Sequence, residues 1–195
     1  MKEPVILILA AGKSSRMRGA DKLMELVEGK PLLAHLSDQA IKTGLSVYVA
    51  LPQNNLAARQ IVDGIAVNTL LLPKETTKEM SATIRYALNE LKNRASHIIM
   101  MLGDMPEIDT TDLQSMIDAT QQLPDLVHRG ATTTGKAGHP VVFPQRLFER
   151  LLELTGDFGA KEVLKTEKVN LVALPNNHAT TDLDTPEEWQ EWRAL

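Results

Sequence analysis

The sequence predicts an α/β fold: a three-layer α/β/α sandwich around a Rossmann-like, mostly parallel sheet with a small antiparallel part. Two observations predict it. Up to about residue 125, short apolar runs alternate with amphipathic helical patterns, as expected of strands joined by helical crossovers that cover both faces of a parallel sheet. Beyond that point two apolar runs flank a turn-rich stretch, which reads as an antiparallel pair.

Taken in order, Val5–Ala10 is a continuous apolar run of strand length, closed by Gly12 and a polar loop. Pro31 opens a helix to about Thr43, and Gly44 is placed to stop it. Ser46–Leu51 is a second strand, Asn54–Val62 a short helix, and Ala66–Leu72 a third strand that ends at Pro73. Met80, Ile84, Ala87, Leu88 and Leu91 share one helical face. His97–Leu102 is a fourth, strongly apolar strand, and Leu113, Met116, Ile117 and Thr120 line the next helix. Asp125–Ala131 and Pro140–Phe143 form the antiparallel pair around the loop Thr132–His139. A helix through Leu147, Phe148, Leu151 and Leu152 follows, then a Gly-Asp-Phe-Gly turn, a short helix and a strand at Val169–Leu174. Thr185 and Glu188 make a capping box for the last helix, with Pro186 at its first position. Met100, Met101, Met105 and Met116 fall at core positions, and Trp189 and Trp192 share the buried face of the last helix. With no repeat, linker or low-complexity segment, residues 1–195 read as a single domain.

Composition narrows the chemistry. At 43% hydrophobic and 24% charged residues the chain is globular, and at −4 with no basic block it has no footprint for nucleic acid. The absence of cysteine removes disulfides, thiolate zinc sites and cysteine nucleophiles, and the five histidines show no short metal-ligand spacing. Val5–Ala10 is too short for a membrane span or a signal peptide, so no membrane partner and a cytoplasmic location are expected.

Charge is concentrated in one loop. Lys13, Arg16, Arg18 and Lys22 stand against Asp21 directly after the first strand, where open α/β sheets bind ligands. The small residues Ala10, Ala11 and Gly12 let a ligand approach the backbone, successive amides there cradle phosphates, and Arg16 and Lys22 add fixed positive charge. A P-loop is excluded because Leu7 stands where its first glycine is required. Asp104, directly after the fourth strand, is well placed for Mg²⁺ together with substrate phosphates, the other reading being a turn or N-cap aspartate before Pro106.

The blocks Leu9-Ala10-Ala11-Gly12 through Leu23, Gly29–Leu33, Met80-Ser81-Ala82, Leu102–Pro106, Gly138–Phe143, Leu154–Ala160 and Asp182–Glu187 run in order over nearly the whole chain. On them the sequence resembles the MobA-like NTP transferases, in particular their molybdenum cofactor cytidylyltransferase branch, with a fold of the nucleotide-diphospho-sugar transferase type. Arg18 is an extra residue in the loop, and Glu79 and Thr83 replace the family's usual glycine and serine. The resemblance implies an NTP, with CTP favoured, and a phosphorylated small-molecule acceptor such as molybdopterin. It implies catalytic roles for Arg16 and Lys22, and nucleotide contacts at Leu9, Ala10, Ala11, Gly12, Pro52, Ser81 and Asp104. It further implies acceptor contacts at Gly138, His139 and Asp157, and Mg²⁺ on Asp104 and Asp184, with Asp182 as the substitute second ligand. Two other readings are a cytidylyl- or uridylyltransferase for a sugar or polyol phosphate, and a non-catalytic nucleotide- or cofactor-handover protein. A molybdoenzyme or chaperone would be the handover partner.

Overall fold

The computed structural model describes residues 2–156 and 159–194. Strand β1 (Glu3–Leu9) leads through a loop with two 3₁₀ turns to a two-strand ribbon, β2 (Leu26–Val27) and β3 (Lys30–Pro31). Then come α1 (Leu32–Ile41), β4 (Ser46–Pro52), α2 (Leu56–Val62), β5 (Asn68–Leu72), α3 (Met80–Leu91), β6 (Ala95–Leu102) and α4 (Thr110–Gln122). The remainder is β7 (Val127–Ala131), β8 (Ala137–Pro144), α5 (Phe148–Leu152), α6 (Lys161–Leu164), β9 (Val169–Ala173) and α7 (Pro186–Arg193).

Seven strands form one sheet in the order β5-β4-β1-β6-β8-β7-β9. β5, β4, β1 and β6 pair in parallel. β8 pairs antiparallel with both β6 and β7, and β9 returns parallel to β7. The antiparallel part is therefore one reversed strand inside an otherwise parallel sheet.

Strand periodicity sends alternate side chains to opposite faces, and β1 supplies two cores in this way. Ile6 and Ile8 pack with α1, α2, α4 and α7, through residues such as Leu33, Leu36, Met116 and Trp189. Val5, Leu7 and Leu9 pack with α3, α5 and α6, through Ile84, Leu88, Phe148 and Val163. Ile6, Leu7 and Ile8 are wholly buried, so truncating any of them to alanine should cost about 2–5 kcal/mol.

Most expected elements are present, with shifted ends. Pro31 is the N-cap of α1 and not its first helical residue. β5 begins at Asn68, because Ala66 and Val67 are spent on a turn in which the Val67 amide donates to the Ile65 carbonyl. β8 begins at Ala137, which shortens the expected 132–139 loop. Thr185 and Glu188 do form a capping box. Trp189 is buried, and its ring meets that of Trp192 edge-on at 5.7 Å. The four methionines named above are also buried.

Candidate active site

The carboxyl ends of β1 and β6 are tied together where the site begins. The Gly103 amide donates to the Leu9 carbonyl at 3.0 Å. A Cβ on Gly103 would stand 3.1 Å from that carbonyl and 3.3 Å from Ala10, so glycine is what lets the two strand ends approach so closely. Asp104 is thereby delivered beside the loop that leaves β1. The Leu183 amide then donates to the Asp104 carbonyl at 3.1 Å, drawing the 182–184 segment onto the same place. Asp184 is held at the start of α7, its amide donating to Glu188 Oε2 at 2.7 Å.

The loop from Ala10 to Lys22 is anchored at two points. Met17 is buried, and Asp21 accepts from the Leu23 amide at 3.0 Å and from Asn55 Nδ2 at 2.8 Å. Ser14 and Arg18 take left-handed backbone conformations (φ 46° and 53°), which turn successive amides toward one side. Among the described residues, the amides of Gly12, Lys13 and Ser14 donate to no protein acceptor.

Four charged side chains meet below this loop. Lys22 Nζ lies 2.5 Å from Asp104 Oδ2 and 3.0 Å from Asp184 Oδ1, and an Arg16 guanidinium nitrogen lies 2.6 Å from Asp184 Oδ2. Burial by itself lowers the Lys22 pKa, but the Asp104 and Asp184 carboxylates outweigh it and raise the value above its ordinary one, so the ammonium is firmly charged. The second Asp104 oxygen, Oδ1, is buried with no hydrogen-bond partner among the described residues. An orphaned carboxylate oxygen beside a second carboxylate is a hard oxygen donor set, which fits a divalent cation such as Mg²⁺ or Mn²⁺.

Two clefts flank the loop and one cavity adjoins them. A cleft of about 240 Å³ runs past Gly12, Arg16, Lys22, Asp104 and Asp184. A second of about 520 Å³ lies on the other side of the loop, between Ala11, Pro52 and Asn55. The cavity, about 420 Å³, shares Leu9, Met80 and Leu102 with the first cleft and extends over Arg129, His139 and Lys161.

Arg16, Lys22, Asp104 and Asp184 thus converge, with Leu9, Ala10 and Gly12 beside them and Ala11 and Pro52 across the loop. Ser81 does not join them through its side chain: it is fully buried on α3, and its hydroxyl accepts from Arg85 at 3.3 Å. Asp182 lines the cavity, apart from the Lys22 cluster; burial and then the nearby Asp104 charge raise its pKa. Gly138 is buried where a Cβ would overlap the Ala179 carbonyl oxygen at 1.7 Å, so a close backbone crossing accounts for the glycine. His139 lines the cavity as a neutral imidazole, its pKa brought down to about 4 by burial and then by the Arg129 charge. Asp157 lies outside the described residues.

Sequence reasoning missed two features. Arg129 and Lys161 stand in the cavity, and the available signal was a lone cation in the middle of the apolar strand Val127–Ala131. Asp109, Asp112 and His178 also lie close enough together to hold an ion. Asp109 and Asp112 form the capping box of α4, and His178 Nδ1 lies 2.8 Å from Asp112 Oδ2. That helix end presents partial positive charge, so capping accounts for this carboxylate pair.

The MobA-like NTP transferase domain matches residues 6–172. The chain belongs to the MobA-like NTP transferase family. Its activity is accordingly nucleotidyl transfer. A protein of Nostoc sp. (strain PCC 7120), named a probable molybdenum cofactor guanylyltransferase, is 24% identical over 96% of this chain and 89% of its own. The bifunctional protein GlmU of Xylella fastidiosa (strain M23) is 30% identical over 70% of this chain, which spans only 30% of GlmU. Among solved structures, Rv0371c of Mycobacterium tuberculosis H37Rv superposes with a TM-score of 0.86 at 24% identity, covering 99% of both chains. A second structure of Rv0371c is a complex with manganese (TM-score 0.81, 21% identity, 100% of this chain and 99% of that one). CMP:2-keto-3-deoxy-manno-octonic acid synthetase complexed with CTP has a TM-score of 0.78 at 16% identity, covering 99% of this chain and 98% of its own. These neighbours share the MobA-like chain's α/β Rossmann-like fold. No helix among its described residues is long and apolar enough to cross a membrane.

Proposed function

We propose that this chain transfers CMP from CTP to the phosphate of a molybdopterin-type acceptor and releases pyrophosphate. The observation that carries the reading is the Lys22 ammonium shared between Asp104 and Asp184, with Arg16 on the second carboxylate, directly under a loop of free amides. Such a set binds a triphosphate and a divalent ion together, and neither alone satisfies all of its charges.

The nucleoside occupies the cleft between Ala11 and Pro52, and the triphosphate lies along the amides of Gly12, Lys13 and Ser14. Arg16 and Lys22 leave the carboxylates for phosphate oxygens and neutralise the charge that builds up on the departing pyrophosphate. Asp104 and Asp184 would hold Mg²⁺, which would supply Lewis-acid neutralisation of the α-phosphate region. An acceptor phosphate oxygen forms the new bond to the α-phosphorus as the α–β bridging P–O bond breaks, its electron pair leaving with pyrophosphate. The acceptor phosphate is already ionised at neutral pH, so the step needs no general base. A neutral His139 agrees with that, serving as wall and hydrogen-bonding group. Backbone amides and cations position the reactants, and no residue forms a covalent intermediate.

Base choice rests on Ala11. Its methyl narrows the cleft beside the base and favours a pyrimidine over a purine, an effect of about 1–3 kcal/mol for one such group. Pyrophosphate release with molybdopterin and each of the four NTPs, with and without Mg²⁺, tests the reading. CTP should be preferred over GTP by roughly ten- to a few hundred-fold, and Ala11→Gly should erode the preference without reversing it. Equal or better use of GTP would make the chain a guanylyltransferase, as the Nostoc relative is named.

A further inference from the structure

We infer that the cavity over β7 and β8 is a second anion subsite, in which Arg129 and Lys161 hold an anionic group of the acceptor remote from its attacking phosphate. The inference rests on the nucleotidyl-transfer reading and adds to it the chemical class of the acceptor's far end.

Arg129 sits in the middle of β7 on a sheet face that is otherwise apolar, flanked at alternate positions by the buried Val127 and Ala131. Its Nε–H donates to the Gly138 carbonyl at 2.8 Å, which fixes the plane of the guanidinium. Arginine carries five N–H donors. Among the described residues no further acceptor and no carboxylate partner engages it. A half-buried cation is costly to keep without a counter-charge, and a fork held at one edge with its remaining donors free suits an anion. Lys161 enters the same cavity from α6, also without an ion pair among the described residues. Among the described residues, the one acid lining this cavity is Asp182, which lies in the field of the Asp104 carboxylate. The buried Nδ1 of His139 has no hydrogen-bond partner among the described residues and offers a hydrogen bond without adding charge.

Lys136 and Thr180 also line the space, and Lys136 adds a third cation at its rim; much of the remaining wall is apolar and polarisable, with Met80, Met100 and Phe143 facing the space. The cavity therefore suits a largely flat, soft body carrying a carboxylate, phosphate or thiolate at its far end. A sugar or polyol phosphate, neutral apart from its one phosphate, would leave Arg129 uncompensated.

Inorganic sulfate is the probe. It is titrated into the full chain without nucleotide or metal and followed residue by residue by ¹⁵N NMR. Shifts should gather at Arg129 Nε–H and at the Gly138 and Lys161 amides. Arg129→Gln and the surface variant Lys161→Gln should each weaken those shifts by roughly tenfold, the scale of one lost charged hydrogen bond. Lys22→Gln should leave them in place. Shifts confined to the Gly12–Arg16 loop would overturn the inference, as would cavity shifts unchanged in both cavity variants. Calorimetry of Mg·CTP binding by the same proteins separates the two readings. Arg129→Gln should bind Mg·CTP like the parent chain, whereas a parent chain that binds no NTP would sink nucleotidyl transfer and leave the sulfate result standing.

Discussion

At the carboxyl ends of β1 and β6, Arg16, Lys22, Asp104 and Asp184 neutralise one another at distances of 2.5–3.0 Å. Across the reversed strand β8, Arg129 and Lys161 stand in their cavity with no carboxylate partner among the described residues. The first arrangement is balanced in charge, two cations against two carboxylates, with the Asp104 Oδ1 oxygen left over. The second keeps a charge in reserve. On the proposals above, the first region would receive cation and polyanion together, and the second an anion alone.

The largest effects should come from breaking the paired cluster. Asp104→Asn should lower pyrophosphate release by about 10³-fold or more, since it removes both the orphaned oxygen's charge and a Lys22 partner. Asp184→Asn should raise the metal requirement or abolish turnover, and Arg16→Ala should cost about 10²-fold. A wild-type rate for Asp184→Asn together with a dead Asp182→Asn would move the second ligand by two residues. Circular dichroism would show that each variant is folded.

Much of the fold was legible because strand and helix periodicities are local. β1, β4 and β6 are short apolar runs with clear ends, and the Thr185–Glu188 box marks α7 unambiguously. The ribbon of β2 and β3 was missed because Gly29 was its one cue in the turn: Glu28 and Gly29 both have positive φ, as a tight hairpin turn requires, but glutamate does not announce that conformation as asparagine or glycine would. The second capping box, Asp109 with Asp112, was readable in the same way. The site was legible in its residue types and not in its pairing. Lys22 reaches Asp104 across 82 positions and Asp184 across 162, so only the folded sheet reveals that the cations lie on the carboxylates. Ser81 went the other way, because an N-terminal helix position does not disclose which side of the helix its hydroxyl faces.

The uncompensated cavity has a signature in pH. An unfolded chain takes up a proton at its histidines near pH 6.5, whereas His139 in the fold does so only near 4. Between these values the unfolded state binds more protons, so stability is present above about 6.5 and is lost as the pH falls toward 4. His139 is partly exposed, so the loss is at most about 3 kcal/mol. Urea unfolding at pH 7.5 and pH 5 should show a smaller difference for His139→Gln than for the parent chain. His35 and His128, also lowered by burial, stay in both proteins, as does Asp112, whose raised pKa acts with the opposite sign. An unchanged difference would mean that His139 is solvated and charged like a surface histidine.

A smaller effect separates the two ligands of the paired cluster. Because the Lys22 ammonium lies on both carboxylates proposed for the metal, Lys22→Gln should tighten Mn²⁺ binding in the absence of nucleotide by roughly tenfold while weakening that of CTP. Electron paramagnetic resonance counts free Mn²⁺ directly. Opposite signs for metal and nucleotide would show that the ammonium is a placeholder exchanged between them. Weakening of both would show that Lys22 merely keeps the carboxylates in position.

The smallest effect belongs to Arg18, which belongs to the same loop but not to the cluster. It is the extra residue relative to the family pattern, and it sits in a left-handed conformation just before Gly19. Its guanidinium lies 2.6 Å from Glu187 on α7, with the two side chains 73% and 55% exposed. An ion pair this open to solvent contributes about 0–1 kcal/mol, and salt screens it further. Arg18→Ala should therefore change turnover by no more than about threefold and leave CTP affinity nearly unaltered, in contrast with Arg16 two positions away. If Arg18→Ala costs as much as Arg16→Ala, then Arg18 leaves Glu187 for the triphosphate in the working enzyme, and the inserted residue is part of the phosphate site. Raising the salt to about 0.5 M distinguishes a tether from a phosphate ligand. Loss of a screened surface tether would leave parent and variant equal at high salt, whereas loss of a phosphate contact would keep them apart.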